Sequence, residues 1–276
     1  MTGVDVNYKF NPFFDIKIED VKTVESGLIV PRKAILDAKK NTIISVVSDR
    51  YRIIPNRELV QKFETYLLES DINFKRTGTG CNLTGSKMWA NYRFPDIKAD
   101  LGEYDRGYGP IHEDVELTMD LWGGYAPGTS TGFMIGGLAL ACLNGMMTKE
   151  AFYKWSESHA GSEFDELLNS FVLAFDTAKT IFMEKLVGSW KELMTLDFDK
   201  IQAANVIRSM DLSKRYRDKI GYLYQQNLKE EKLKTMWDFY QMVTWFTTHT
   251  IENRNRRLAM SLSAKVSEQL MGGADA

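Results

Sequence analysis

The residues best suited to binding chemistry fall on one β-patterned segment. Over residues 86–94, Lys87, Trp89, Asn91 and Arg93 alternate with Met88, Ala90, Tyr92 and Phe94. One face of such a strand carries cations around an aromatic ring, and the other is apolar. Cations neutralise a phosphate backbone while a ring stacks on unpaired bases, which is what single-stranded nucleic acid requires. Lys75 lies on the strand expected just before, and Arg50 and Arg52 alternate at the end of another. The candidate nucleic-acid-binding set is therefore Arg50, Arg52, Lys75, Lys87, Trp89 and Arg93. A second reading stands beside it. Asp114, Glu116 and Asp120 share a face of a further strand, and they could pair with Lys87 and Arg93 across strands.

Other chemistries have thinner support. The same three acids, with Pro95-Asp96-Ile97-Lys98, offer carboxylates for a metal-dependent nuclease, but the second acidic–x–Lys element is missing, and a solvated acidic face is the simpler reading. His112, His159 and His249 are far apart in sequence and none has a histidine or cysteine at i+3 or i+4, so no metal site is expected. Gly128-Thr129-Ser130-Thr131-Gly132 lacks the Gly-Lys-Ser/Thr ending of a phosphate loop. No catalytic residue and no cofactor are expected. Cys81 and Cys142 read as two reduced thiols.

These side chains need strands and turns to carry them. All six prolines precede residue 128, so the first half reads as strands and loops and the second as long helices. Thr42 to Ser48 is β-branched and pairs with Lys33 to Asp37. Asn56 follows Pro55 and is expected to cap a helix to about Ser70, whose apolar face is Leu59, Val60, Phe63 and Leu67. Strands follow at about 72–79 and 86–94, then the alternating segment 114–121. Phe133 to Met147 reads as a strand leading into a short helix. Ser162 opens a helix with a capping box, and Phe164, Leu168, Phe171, Phe175, Ala178 and Phe182 form a packing seam. Helices at 197–210 and 213–227 precede a last one expected over 229–270.

Composition is ordinary for a globular chain: 44% hydrophobic, 26% charged, net charge −2. The balance does not suit a polycation for duplex DNA or anionic lipid. Charge is segregated, however. Residues 28–98 carry 13 Lys/Arg against 7 Asp/Glu, residues 101–200 carry 7 against 16, and the C-terminal stretch is basic again, through Lys214-Arg215-Tyr216-Arg217 and later clusters. No signal peptide is recognisable, and no run of about 18 apolar residues suggests a membrane span. A cytoplasmic location is expected, in a host cell if the chain is phage-encoded.

Val46-Val47-Ser48-Asp49-Arg50-Tyr51 followed by Pro55-Asn56-Arg57, with Lys87-Met88-Trp89-Ala90, Ala141-Cys142-Leu143-Asn144-Gly145 and Thr248-His249, resembles the phage and plasmid-like family known as domain of unknown function 932. The resemblance covers about residues 27–147 well and the remainder loosely. Tyr125-Ala126-Pro127-Gly128 and Leu138-Ala139-Leu140 depart from its pattern, so no anion-binding arginine carries over there. The resemblance implies a mobile-element context and brings no established chemistry.

The expected architecture is α+β: an N-terminal antiparallel sheet with one or two packed helices over 1–147, then an all-helical half over 148–276. A helix, three antiparallel strands and a helical segment are similar in order to single-strand annealing recombinases. The expected function is single-stranded DNA binding in phage DNA metabolism, strand annealing included, without catalysis. The aromatic seams suggest a homo-oligomer. A protein-interaction or anti-host factor acting through the helical half, and a metal-dependent nuclease, are the alternatives.

Overall fold

Two runs of β-patterned sequence lie on either side of one helix, and each closes its own sheet. The computed structural model describes residues 10–105, 110–139, 153–157 and 164–251, with Leu262, Lys265, Val266, Gln269 and Leu270 beyond them. The first run forms β1 (Ile16–Lys22), β2 (Ile29–Asp37) and β3 (Thr42–Ser48), an antiparallel sheet in that order. Its second turn is closed by Asp37, whose Oδ1 accepts from the backbone N–H groups of Lys40 (2.9 Å) and Lys39 (3.0 Å). Those donors, Lys40 foremost, hold the Asp37 carboxyl below its usual range. Ile35, Val47 and Tyr125 are the buried centre here, with Phe14, Ile16, Ile44, Tyr51 and Ile53 packed against them.

Helix α1 (Asn56–Glu69) buries Leu59, Val60, Phe63 and Leu67. Asn56 does not cap it. The N-cap is Pro55, and Asn56 is the first helical residue, its buried Nδ2 donating to the Pro12 carbonyl (3.2 Å).

The second run forms β4 (Lys75–Cys81), β5 (Lys87–Asp105), β6 (Pro110–Gly124), β7 (Thr131–Ala139) and β8 (Tyr153–Glu157), in that order across the sheet. This corrects the expected architecture of one N-terminal sheet followed only by helices. There are two sheets, the larger occupies the middle of the chain, and β8 lies where only helix was expected. β1, which the expected architecture lacked, completes a sheet with β2 and β3 and leaves β4 to β8 to pair among themselves. The expected strand-to-helix passage over 133–147 is strand to Ala139, and the rest of it, with Cys142 and Asn144, lies outside the described residues. So do His159, Ser162 and the arginines at 254–257.

Helices follow: α2 (Phe164–Ile181), a π-helical turn (Phe182–Leu186), α3 (Val187–Thr195), α4 (Lys200–Ser209), α5 (Lys214–Lys229), α6 (Met236–Phe246) and a second π turn (Thr247–Ile251). The seam of α2 buries Phe171, Phe175, Ala178 and Phe182, then resumes at Val187, Trp190 and Leu193. The step of five from 182 to 187 is the extra residue of the π turn. The last helix starts at Met236, not at 229. Thr235 and Asp238 form a capping box there, and Glu231 at φ 52 turns the chain before it.

By internal contacts the chain divides into two compact units. One comprises Met1–Asp96, Met119–Met134 and Lys154–Thr177; the other Ile97–Thr118, Ile135–Tyr153 and Ala178–Ala276. In the first, Phe63 meets Phe171 (4.4 Å between ring centroids) and Tyr92 (5.2 Å) edge-on, and Phe133 meets Phe171 (4.6 Å). In the second, Trp190, Trp237 and Tyr240 form a chain of rings 5.8 and 5.4 Å apart. Gly137 admits the Trp190 ring, since a Cβ there would overlap it and sit 2.7 Å from Val115.

Candidate nucleic-acid interface

Strand β5 sorts its side chains by alternation. Met88, Ala90, Tyr92 and Phe94 are 0–1% exposed and face the core. Lys87 is exposed, Trp89 and Arg93 are partly exposed, and Asn91 is buried. The hairpin leading into β5 is pinned by Asn82, whose N–H donates to the Lys87 carbonyl and whose Oδ1 accepts from the Lys87 N–H, both at 3.0 Å.

Strand β4 is the outer neighbour of β5, with Lys75 opposite Arg93, Arg76 opposite Tyr92, Gly78 opposite Asn91 and Gly80 opposite Trp89. The register shifts between Arg76 and Gly78, so Thr77 is an extra residue. Without that bulge, odd-numbered Lys75 would share a face with Thr79 rather than with Gly78 and Gly80. The bulge thus brings Lys75 to the face of Trp89, Asn91 and Arg93. Two consequences follow. Lys75 and Arg93 are like charges directly across strands, an arrangement that costs stability. Gly78 and Gly80 place no side chain beside Asn91 and Trp89. Arg76 goes to the opposite face, where it meets Glu64 at 2.9 Å, and Tyr92 donates to the same carboxylate at 3.1 Å. Burial, then Glu64, pushes the Tyr92 phenol well up.

The acidic strand is not a solvated face. Glu116, Thr118 and Asp120 on β6 are 3–8% exposed, and Asp120 accepts from Asn91 Nδ2. Acids and cations do share this face, as the cross-strand reading requires. Lys87 and Lys75 remain exposed on it, while Arg93 and Trp89 each interact with a neighbour.

Arg50 and Arg52 do not continue a strand. β3 stops at Ser48, and Tyr51 N–H closes a turn onto the Ser48 carbonyl (3.0 Å), leaving Arg50 exposed and Arg52 half-buried. Tyr51 between them donates its phenol to the Gly124 carbonyl (3.0 Å). Gly124, at φ 146, lies against the start of β5: a Cβ on it would overlap the Ser86 carbonyl and come within 2.8 Å of Lys87 Cα. Tyr125 N–H then bonds Ser86 O at 2.8 Å, and its hydroxyl accepts from Asn56 N–H at 3.0 Å. Through Tyr51 and Gly124 the Arg50–Arg52 turn is held beside Lys87. From Lys87 to Arg93 the strand extends about 20 Å, so Lys87, beside the Arg50–Arg52 turn, and Arg93, opposite Lys75, stand at the two ends of the series. Burial, with Tyr125 contributing, pushes the Tyr51 phenol up to about 12.

Comparison with family models, with curated proteins and with solved structures gives no match. The site must be read from its own geometry.

One constellation forms across strands rather than by helical spacing. His112 Nε2 lies 3.2 Å from Asp100 Oδ1 and 3.6 Å from Asp114 Oδ1. The spacing is that of strands, i+2 along β6 plus a partner on β5, and all three residues are at least 30% exposed. Among the described residues it is the one grouping of three metal-ligating side chains, and contact of the imidazole with the two carboxylates accounts for it. Asp114 belongs to this trio, whereas Glu116 and Asp120 are buried. Cys81 is buried too, with Sγ 3.6 Å from the Phe10 carbonyl, and burial raises its thiol, which leaves it a poor nucleophile. No helix among the described residues is long and apolar enough to cross a membrane.

Proposed function

We propose that this chain binds single-stranded nucleic acid along the β4–β5 border of its second sheet, without catalysis. In a phage or plasmid setting the role would be DNA metabolism, strand annealing included. The observation that carries the reading is the pairing of Lys75 with Arg93 across β4 and β5, on the face that also bears Trp89 and Lys87. Arg93 already interacts with a neighbour, so exposed Lys75, which a bulge turns onto this face, is the cation of the pair offered to an anionic partner. The two glycines opposite Trp89 and Asn91 set no side chain beside the indole. Arg50 and Arg52 extend the cations beyond Lys87.

Filter binding to single-stranded and duplex DNA, with and without magnesium, tests this. Binding of the single strand without cleavage is the expected result. Trp89→Ala should weaken it about tenfold, since one stacked base is worth about 1–3 kcal/mol. Loss of each phosphate contact should lower the salt slope of log affinity by about 0.7. No binding at all would leave the protein-interaction reading, and magnesium-dependent cleavage would replace this reading with a nuclease. If Trp89→Ala lowers stability and binding only in proportion, Trp89 is a packing residue and the proposed stacking site is wrong.

A further inference from the structure

The basic cluster at Lys214–Arg217 takes no part in the sheet border and belongs to the other compact unit. It opens α5, which runs antiparallel to α4. The Tyr224 hydroxyl reaches the carbonyl of Lys200 at the start of α4 (3.2 Å), and the turn between the helices is anchored by buried Met210 and Leu212. At that turn a shallow groove is lined by Arg208 of α4 and by Arg217, Asp218 and Gly221 of α5, so its charge is mixed. Arg208, Lys214, Arg215, Arg217 and Lys219 are all exposed, against two exposed acids, Asp211 and Asp218, over the same stretch. Among the described residues none of the five cations is in an ion pair.

Of these cations Arg217 ties down the turn, donating to the Leu212 carbonyl at 3.2 Å; the others do not serve the helix that carries them. The first turn of α5 has no acidic residue, and Ser213 makes no side-chain cap, so positive side chains crowd the positive end of the helix dipole. Beyond them the exposed face of α5 continues as Arg215, Lys219, Tyr222 and Gln226, spaced four, three and four apart. That spacing keeps them on one stripe. Tyr222 is 66% exposed, and Gln226 Nε2 donates to its hydroxyl at 2.6 Å, which holds the ring. Two cations on the turns before a held, exposed ring put on a helix the residue types that Lys87, Trp89 and Arg93 put on a strand, with Asp218 the acid beside them. An anionic membrane would call for an apolar wedge beside the cations, and the stripe carries a tyrosine and a glutamine instead.

We infer that the outer face of α5 is a second binding surface for single-stranded nucleic acid. Bases stack on Tyr222, and phosphates meet Arg215 and Lys219. The inference rests on the proposed function in taking the same class of ligand, and it adds a surface on the other unit. A chain with two such surfaces can hold two strands, or one strand at two points, which raises avidity through effective concentration.

The test is fluorescence anisotropy of labelled oligothymidylate with the full chain, over a range of salt, for wild type, Trp89→Ala, Tyr222→Ala and the pair Arg215→Ala/Lys219→Ala. Tyr222 is exposed, and a thermal melt checks that each variant folds. Tyr222→Ala should weaken binding about fivefold or more, and the pair should lower the salt slope by about 1.4. If Trp89→Ala weakens binding while both α5 variants match wild type, this inference fails and the sheet reading stands. If the α5 variants weaken binding and Trp89→Ala does not, the sheet reading fails and this surface stands alone. If wild type binds no oligothymidylate, both are overturned.

Discussion

Lys75→Glu should make the protein more stable and a poorer binder at once. Lys75 stands directly opposite Arg93, so the substitution turns a like-charge cross-strand pair into an opposite-charge one. Cross-strand charge pairs are worth about 0.2–1 kcal/mol, and like pairs cost a similar amount. Lys75 is exposed and Arg93 only partly buried, so solvent screening puts the total gain near about 0.5–1 kcal/mol. For a chain of this length that raises the melting temperature by about 1–3 °C. The same change removes one phosphate contact and adds a repulsive charge, so the salt slope for oligothymidylate should fall by at least about 0.7. Melting followed by circular dichroism in low salt, beside anisotropy titrations, reads both quantities. A residue that serves only the fold cannot move them in opposite directions. A lower melting temperature, or a raised one with unchanged affinity and slope, would refute the argument that the pair is kept for an anion.

Gly124→Ala should destabilise the protein by at least about 1–3 kcal/mol from its backbone conformation alone, with more from overlap with Ser86; a urea midpoint equal to wild type would contradict the packing described. Tyr51 keeps its proton in the folded state up to about 12 against an ordinary 10.0. Its contribution is therefore complete below pH 10 and is lost as pH rises from 10 to 12. Tyr51→Phe should be less stable at pH 8, by about 1 kcal/mol for the lost bond to Gly124, and should show a shallower decline from pH 9 to 11 in urea unfolding. Thr235→Ala removes the N-cap of α6 and should cost about 1 kcal/mol with no effect on oligothymidylate binding; a binding change would mean that α6 matters to the interface.

Alternation and helical spacing made much of this architecture readable. The alternating faces of residues 87–94, the apolar side of α1 and the limits of α4 and α5 are all visible as spacing in the sequence. What was hidden depends on contacts distant along the chain. Nothing local says that Asn56 should leave its helix end to hold Pro12, or that Thr77 should bulge and change which face Lys75 joins. The burial of Glu116 and Asp120 was hidden for the same reason. An acid every second residue looks like a wet face until a neighbour such as Asn91 is found beside it. Asp100, His112 and Asp114 meet only because β5 and β6 lie side by side. Thr235 and Asp238 are the one missed feature that was local, since the Thr-x-x-Asp spacing is itself a helix start.

The position of β4 carries one more consequence. Among the described residues it has a neighbour on one side only, so its other side presents unpaired N–H and C=O groups, a template on which a second chain could add a strand and begin to aggregate. Lysine, arginine and a bulge are the common guards against such growth, and β4 opens with Lys75, Arg76 and the bulge at Thr77. If Lys75 both recruits a ligand and guards this edge, replacing it with a neutral residue to study binding would also remove the guard. The aggregated product could then be mistaken for a folding defect, and a charge reversal avoids that confusion.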